Sequence, residues 1–137
     1  MTQTPNALSI NDKPVVLLAE DDPDQSDMLS EALQDEGYCV DAAFSGDTAL
    51  KKLFQHDYAV VLMDIRMPGL DGITVLKKYR KEKAGRQSPV LVVSAFATDS
   101  ELKQYQQAGA DGGFSKPYDL NVLLAAVARL ARPSEQV

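Results

Sequence analysis

Residues that suit phosphoryl transfer stand at the ends of apolar runs in this sequence. Asp64 ends an apolar run that a Pro/Gly turn follows, and Glu20 and Asp21 stand at the end of an earlier run. Ser94 and Lys116 end two later runs. Open α/β sheets bind their ligands at the carboxyl ends of strands, so these side chains should share one cleft. The pattern suggests an aspartate that accepts a phosphoryl group beside a divalent cation.

The charges of this cleft indicate which cation it would hold. Two like charges about 4 Å apart repel by about 4 kcal/mol at an effective dielectric constant near 20, and Lys116 can neutralise only one carboxylate. A hard cation with oxygen ligands is therefore favoured. Mg²⁺ fits this description, and Mn²⁺ is the alternative ion. Zinc is not, because the lone Cys39 fits a buried structural thiol and the only histidine, His56, fits the surface end of a helix. Asp64 could then act as a nucleophile while Ser94 donates a hydrogen bond to a phosphoryl oxygen.

Apolar periodicity predicts five strands that alternate with five helices. The strands are expected at 15–19, 38–43, 58–64, 90–93 and 112–115, and the N-caps at Asp22, Ser45, Asp71, Thr98 and Asp119. Gln25 would complete a capping-box-like start after Asp22, and Glu101 a capping box after Thr98. Such alternation implies a doubly wound, five-stranded parallel sheet with helices on both faces. The helix at 98–108 has a thin apolar stripe and should be the weakly anchored, moving element.

Composition limits the classes of partner. The chain has 137 residues and a net charge of −6, which fits one domain and argues against binding to nucleic acid or anionic lipid. Protein partners or a cation are favoured instead. No apolar stretch approaches the roughly 18 residues of a membrane span, so no membrane insertion and a cytoplasmic location are expected. The domain should cover 13–132, with disordered tails at 1–12 and 133–137.

Four segments carry a resemblance to a known family. They read LLAEDD at 17–22, VLMDIRMPGLDG at 61–72, VVSA at 92–95, and GAD at 109–111 followed by SKP at 115–117. In order and spacing they resemble the receiver (CheY-like) domains of bacterial two-component response regulators. The resemblance implies the flavodoxin-like strand order 2-1-3-4-5. It also implies a signalling domain that catalyses only its own phosphotransfer and autodephosphorylation.

The family's functional residues map onto this sequence. The resemblance implies that Asp64 takes phosphate from a sensor histidine kinase or a phosphotransfer protein, and that a downstream protein target reads the change. Asp21, Asp64 and the backbone carbonyl of Arg66 would bind the metal directly, and Glu20 through water. Ser94 would be the switch hydroxyl. Ala95 would turn its amide toward the phosphoryl group, and Lys116 would form a salt bridge before a cis Pro117.

One position departs from the family pattern. Three residues before the lysine such domains carry an aromatic residue that turns inward, whereas this sequence has Gly113 there and Phe114 one place later. Either Phe114 substitutes through a distortion of the strand, or the signal passes without the aromatic. A degenerate receiver that acts as a non-phosphorylated interaction module is the alternative that this departure leaves open.

Two other classes fit less well. Phosphatases with an aspartyl-phosphate intermediate need a second aspartate two residues after the nucleophile, where Arg66 cannot act as a general acid. A flavin site would need a phosphate cradle after the first strand, where acidic residues repel anions.

Phe96 and Arg66 each follow a site residue by two positions. We expect them to hinder the attacking water, so that the phosphorylated state is long-lived and Phe96→Ala speeds its decay. Unchanged decay would refute that hypothesis.

Overall fold

The computed structural model describes residues 13–95 and 97–131, which form ten alternating strands and helices. They are β1 (Val15–Ala19), α1 (Pro23–Asp35), β2 (Cys39–Ala43), α2 (Gly46–Gln55), β3 (Val60–Asp64), α3 (Gly72–Glu82), β4 (Val90–Ala95), α4 (Asp99–Gln107), β5 (Gly112–Lys116) and α5 (Leu120–Ala131). The strands form one parallel sheet in the order β2-β1-β3-β4-β5. The predicted doubly wound, flavodoxin-like fold is confirmed. The predicted tails and Phe96 lie outside the described residues.

Both faces of the sheet are covered, which explains why the central strands are apolar throughout. Successive side chains of a strand point to opposite faces. Leu17, Val61 and Met63 therefore join the core beneath α2, α3 and α4, whereas Leu18 and Leu62 join the core beneath α1 and α5. All five residues of β3 are buried. The sheet thus gives Asp64, the last residue of β3, a rigid support. No described helix has the length and apolar composition needed to cross a membrane.

Some element boundaries differ from the prediction. β4 does not end before Ser94 but continues to Ala95, because its last two residues pair with Ser115 and Lys116 of β5. β2 begins one residue later than expected, since the amide of Tyr38 donates to a carbonyl of α1. Neighbouring strands and helices decided these ends, and local propensity did not.

All five predicted N-caps are confirmed, and one predicted capping-box contact is not. Ser45 and Asp71 accept hydrogen bonds from the backbone at the starts of α2 and α3, and Asp119 does so at the start of α5. Thr98 opens α4 with the complete capping box that was predicted. The prediction that Gln25 completes a capping-box-like start of α1 is wrong. Asp22 caps the helix, but its amide donates to the Glu20 carboxylate and not to Gln25.

Gly113 lies in an undistorted stretch of β5. The register runs without interruption from Gly112 to Lys116, so β5 lacks the distortion that the first of the two alternatives for Phe114 requires. Phe114 packs against the core beneath α1 and α5. Above Gly113 lies Leu102 of α4, whose Cδ2 would be 3.0 Å from a Cβ added at Gly113. Leu102 therefore fills the space that a larger residue 113 would occupy.

Candidate functional site

Three carboxylates meet at the carboxyl edge of the sheet. Glu20 and Asp21 follow β1, Asp64 ends β3, and these two strands are paired neighbours. One carboxylate oxygen from each of Glu20, Asp21 and Asp64 lies within 4.8 Å of the others. We call these three residues the acidic cluster. Glu20 and Asp64 are buried, whereas Asp21 is exposed.

Lys116, the last residue of β5, is bonded to this cluster. Its Nζ donates to Asp64 Oδ2 at 2.8 Å, to Glu20 Oε1 at 3.1 Å and to Gln25 Oε1 at 2.9 Å. An ammonium group has three hydrogens, so the three acceptors use its full donor capacity. The side chain of Lys116 is only 20% exposed. Three hydrogen bonds therefore fix the position of the Lys116 ammonium group, which is largely buried.

Each buried carboxylate is held at both oxygens. The second oxygen of Asp64, Oδ1, accepts from the backbone N–H of Arg66 at 3.1 Å. The second oxygen of Glu20, Oε2, accepts from the backbone N–H of Asp22 at 3.1 Å. In both cases an acid at a strand end accepts from the amide two residues on, as the chain turns away from the sheet. This shared geometry fixes both carboxylates toward the same point.

The electrostatics of the site follow from its burial and composition. Burial raises the pKa of Glu20 and the nearby charge of Asp64 adds to this, while the Asp22 amide and Lys116 act in the opposite direction. For Lys116, burial lowers the pKa, but the bonds and charges of Asp64 and Glu20 outweigh it and the pKa is raised. Lys116 therefore remains charged at neutral pH. Three carboxylates against one ammonium leave an excess of negative charge.

The donor set of the acidic cluster fits a hard divalent cation. All three side chains offer oxygen, the ligand that Mg²⁺ prefers, and the excess negative charge favours a cation. Asp21 also lines an open groove of about 680 Å³, together with Arg66 and Asp71. A hydrated ion could reach the carboxylates through this groove.

Ser94 and Ala95 lie at the same edge of the sheet. Asp64 pairs with Val93 of β4, so Ser94 is one residue beyond the partner of Asp64. Ser94 is buried, and Ala95 pairs with Lys116. The structure thus brings Ser94, Ala95 and Lys116 to the edge that carries the acidic cluster, whereas Gly113 lies three residues before Lys116 in β5. The Lys116-Pro117 peptide bond is cis, as the resemblance implied.

Close backbone contacts hold the loop that follows Asp64. A Cβ on Gly46, at the start of α2, would lie 1.7 Å from the carbonyl oxygen of Leu70. A Cβ on Gly72 would lie 2.4 Å from the carbonyl oxygen of Asp64. Only glycine permits such approaches, so both positions keep the loop against its neighbours.

Comparison with known proteins decides the family. The family model described as response regulator receiver domain matches residues 16–128. The chain belongs to this family. Among curated relatives, it is 36% identical over 119 residues to the transcriptional regulatory protein TctD of Salmonella typhimurium, covering 87% of this chain and 52% of that protein. It is 31% identical to the DNA-binding dual master transcriptional regulator RpaA of Synechocystis, covering 90% of this chain and 52% of that protein. The receiver domain spans about half the length of these relatives.

Solved structures of receiver domains are similar over their whole length. The receiver domain of the Francisella response regulator 1452 has a TM-score of 0.82 at 30% identity, with 88% of this chain and 98% of that chain covered. The receiver domain of the sensor histidine kinase PA1611 from Pseudomonas aeruginosa has a TM-score of 0.79 at 27% identity, with 88% and 99% covered. That second structure has a magnesium ion coordinated in the active-site cleft.

Sequence reasoning missed two residues that shape the site of this receiver domain. Gln25 was interpreted as part of a helix cap, yet its side chain bonds to Lys116. Gly46 carried no prediction of its own, yet it supports the loop after Asp64. Neither contact has a local sequence signal, because each joins segments that are distant along the chain.

Proposed function

We propose that this receiver domain accepts a phosphoryl group on Asp64 from a phosphohistidine of a sensor histidine kinase or phosphotransfer protein. The observation that carries the proposal is the position of the Asp64 carboxylate. It is bonded to Lys116, oriented by the Arg66 amide and placed beside two further acids at the edge of an open groove. A protein target reads the phosphorylated state.

The proposed step balances without a further reactant. A carboxylate oxygen of Asp64 attacks the phosphorus, an O–P bond forms, and the N–P bond of the phosphohistidine breaks. The histidine nitrogen keeps the bonding electron pair and takes a proton from solvent water. Lys116 donates to a phosphoryl oxygen, the Ser94 hydroxyl donates to another, and the Ala95 amide faces the group. Hydrolysis of the aspartyl phosphate by water returns the resting state.

The step is proposed to depend on Mg²⁺, for which Mn²⁺ can substitute. Asp21, Asp64 and the carbonyl of Arg66 would hold the ion directly and Glu20 through water. When bound, the cation neutralises excess carboxylate charge and offsets the charge of the phosphoryl oxygens. The magnesium in the PA1611 receiver domain supports this assignment.

The extent and setting of the domain remain part of the proposal. We propose that 13–132 is the folded receiver unit and that 1–12 and 133–137 are tails. Membership of the family supports a cytoplasmic location. Relatives named as transcriptional regulators are about twice as long as the matched region, so we propose that this region acts through protein contacts and does not itself bind DNA.

Phosphorylation of the purified protein tests the proposal. The wild type is incubated with Mg²⁺ and a small phosphodonor, and intact mass is measured beside Asp64→Asn and Asp41→Asn. We expect the wild type and Asp41→Asn to gain one phosphoryl group, and Asp64→Asn or a chelator to prevent it. Asp41 is a matched control because it lies in β2, bonded to Lys52 and away from the acidic cluster. A wild type that stays unmodified would favour the non-phosphorylated interaction module.

A further inference from the structure

Gln25 links the site lysine to the first turn of α1. Its Oε1 accepts from Lys116 Nζ at 2.9 Å, and its Nε2 donates to Asp22 Oδ2 at 3.1 Å. Asp22 is the N-cap of α1 and accepts the amide of Asp24 through its other oxygen. The amide of Gln25 is thus fixed at both ends, and its acceptor atom points at the ammonium group.

The chemical roles of the three acceptors around Lys116 are different. Glu20 and Asp64 are carboxylates that the proposed reaction itself engages, one near the metal and one as the nucleophile. Their bonds to Lys116 must change when the phosphoryl group arrives. Gln25 is neutral, forms no new bond in the reaction, and can keep its contact throughout. It is therefore the one acceptor that can hold the ammonium in place while the other two change.

Without such an acceptor, the Lys116 side chain would no longer be held in a single conformation. A lysine ammonium sits on a flexible four-carbon stem, and fixing such a side chain costs up to about 2 kcal/mol of rotamer entropy. A partner that fixes it before the reaction removes part of that cost from the reactive step. Gln25 contacts neither phosphorus nor the attacking oxygen in the proposed step, so its role would be indirect.

We propose that Gln25 is a positioning residue that holds Lys116 ready to bind the incoming phosphoryl group. This inference rests on the proposed function. Loss of the Gln25 amide should slow phosphorylation of Asp64 by about fivefold, the factor that corresponds to one net hydrogen bond. The Mg²⁺ dissociation constant should change by less than about twofold, since one hydrogen bond to a residue that is not a metal ligand is lost.

The test combines two substitutions at Gln25 with a matched control. Gln25→Met keeps the length of the side chain and removes both polar atoms. Gln25→Glu keeps an oxygen for Lys116 and loses the donor to Asp22. Gln34→Leu is the control, because Gln34 is an exposed glutamine on the same helix.

The first readout is the NMR signal of the Lys116 ammonium in the unphosphorylated, ¹⁵N-lysine-labelled chain, assigned with Lys116→Arg. We expect Gln25→Met to shift and broaden this signal, and the other two variants to keep it sharp. The second readout is the phosphorylation rate with a small phosphodonor. The rate should be lower than that of the wild type in Gln25→Met, and close to that of the wild type in Gln25→Glu and in Gln34→Leu.

A Lys116 signal unchanged in Gln25→Met, or a rate equal to or above that of the wild type, would overturn the proposal. Equal behaviour of Gln25→Met and Gln25→Glu would also overturn it, because the acceptor oxygen would then be irrelevant. If the wild type takes no phosphoryl group, the proposed function fails. The NMR comparison then still decides whether Gln25 positions Lys116.

Discussion

Neutralising Asp21 should stabilise the metal-free protein and reduce its response to Mg²⁺. In the metal-free state Asp21 is repelled by Glu20 and Asp64, each with an oxygen within 4.8 Å. Because Asp21 is exposed, the dielectric constant of water applies, and each repulsion is about 0.9 kcal/mol. Attraction to the single charge of Lys116, counted at the same distance, offsets one of these two repulsions. Asp21→Asn should therefore raise the free energy of unfolding by about 1 kcal/mol, or the unfolding midpoint by about 4 °C.

The same substitution should lower the stability that the protein gains from Mg²⁺. At free Mg²⁺ ten times above the dissociation constant, binding adds about 1.4 kcal/mol to the stability of the wild type. If loss of the Asp21 carboxylate weakens binding tenfold, the same concentration adds only about 0.4 kcal/mol. The substitution therefore makes the protein more stable with chelator present and less responsive to Mg²⁺.

Urea unfolding with chelator and with Mg²⁺, at one ionic strength held by KCl, measures both effects. The control is Asp27→Asn, which removes an exposed acid of α1 outside the acidic cluster and should change neither value substantially. A variant Asp21→Asn that is less stable than the wild type in chelator would refute the electrostatic reasoning. A full response of that variant to Mg²⁺ would refute the assignment of Asp21 as a ligand.

Three further substitutions test the packing around the site. Gly113→Ala places a Cβ 3.0 Å from Leu102 Cδ2, so it should shift the end of that side chain, cost no more than about 1 kcal/mol and speed amide exchange in α4; an unchanged exchange pattern would contradict the contact. Gly46→Ala should displace the loop after the nucleophile and weaken Mg²⁺ binding, as calorimetric titration would show. Burial and then the bond to Asp41 raise the pKa of Tyr58, so the folded chain keeps a proton that the unfolded chain loses above about pH 10. Stability supplied by this group is complete below that pH and lost above it. Urea unfolding of Tyr58→Phe should show a shallower alkaline decline, and an identical decline would count against the assignment.

The sequence alone determined the fold and the edge of the sheet that carries the site. Apolar periodicity is a local property of the chain, and it located all five strands to within two residues at either end. Strand ends in a parallel sheet share one edge, so the order of residues was enough to bring Asp64, Glu20 and Lys116 together. The capping box of Thr98 and Glu101 was predictable for the same reason, since both partners lie in one turn.

Tertiary structure decided the contacts between distant segments. Gln25 and Lys116 are 91 positions apart, and the pull of the ammonium on the Gln25 oxygen overrode a local capping pattern. The undistorted pairing of β5 with β4 directed Phe114 to one core and left Gly113 beneath Leu102 of α4. A sequence pattern specifies which residues can cap, pair or pack. The direction that a side chain takes depends on which neighbours the folded sheet and helices bring within reach, and that is fixed only when the whole chain is packed.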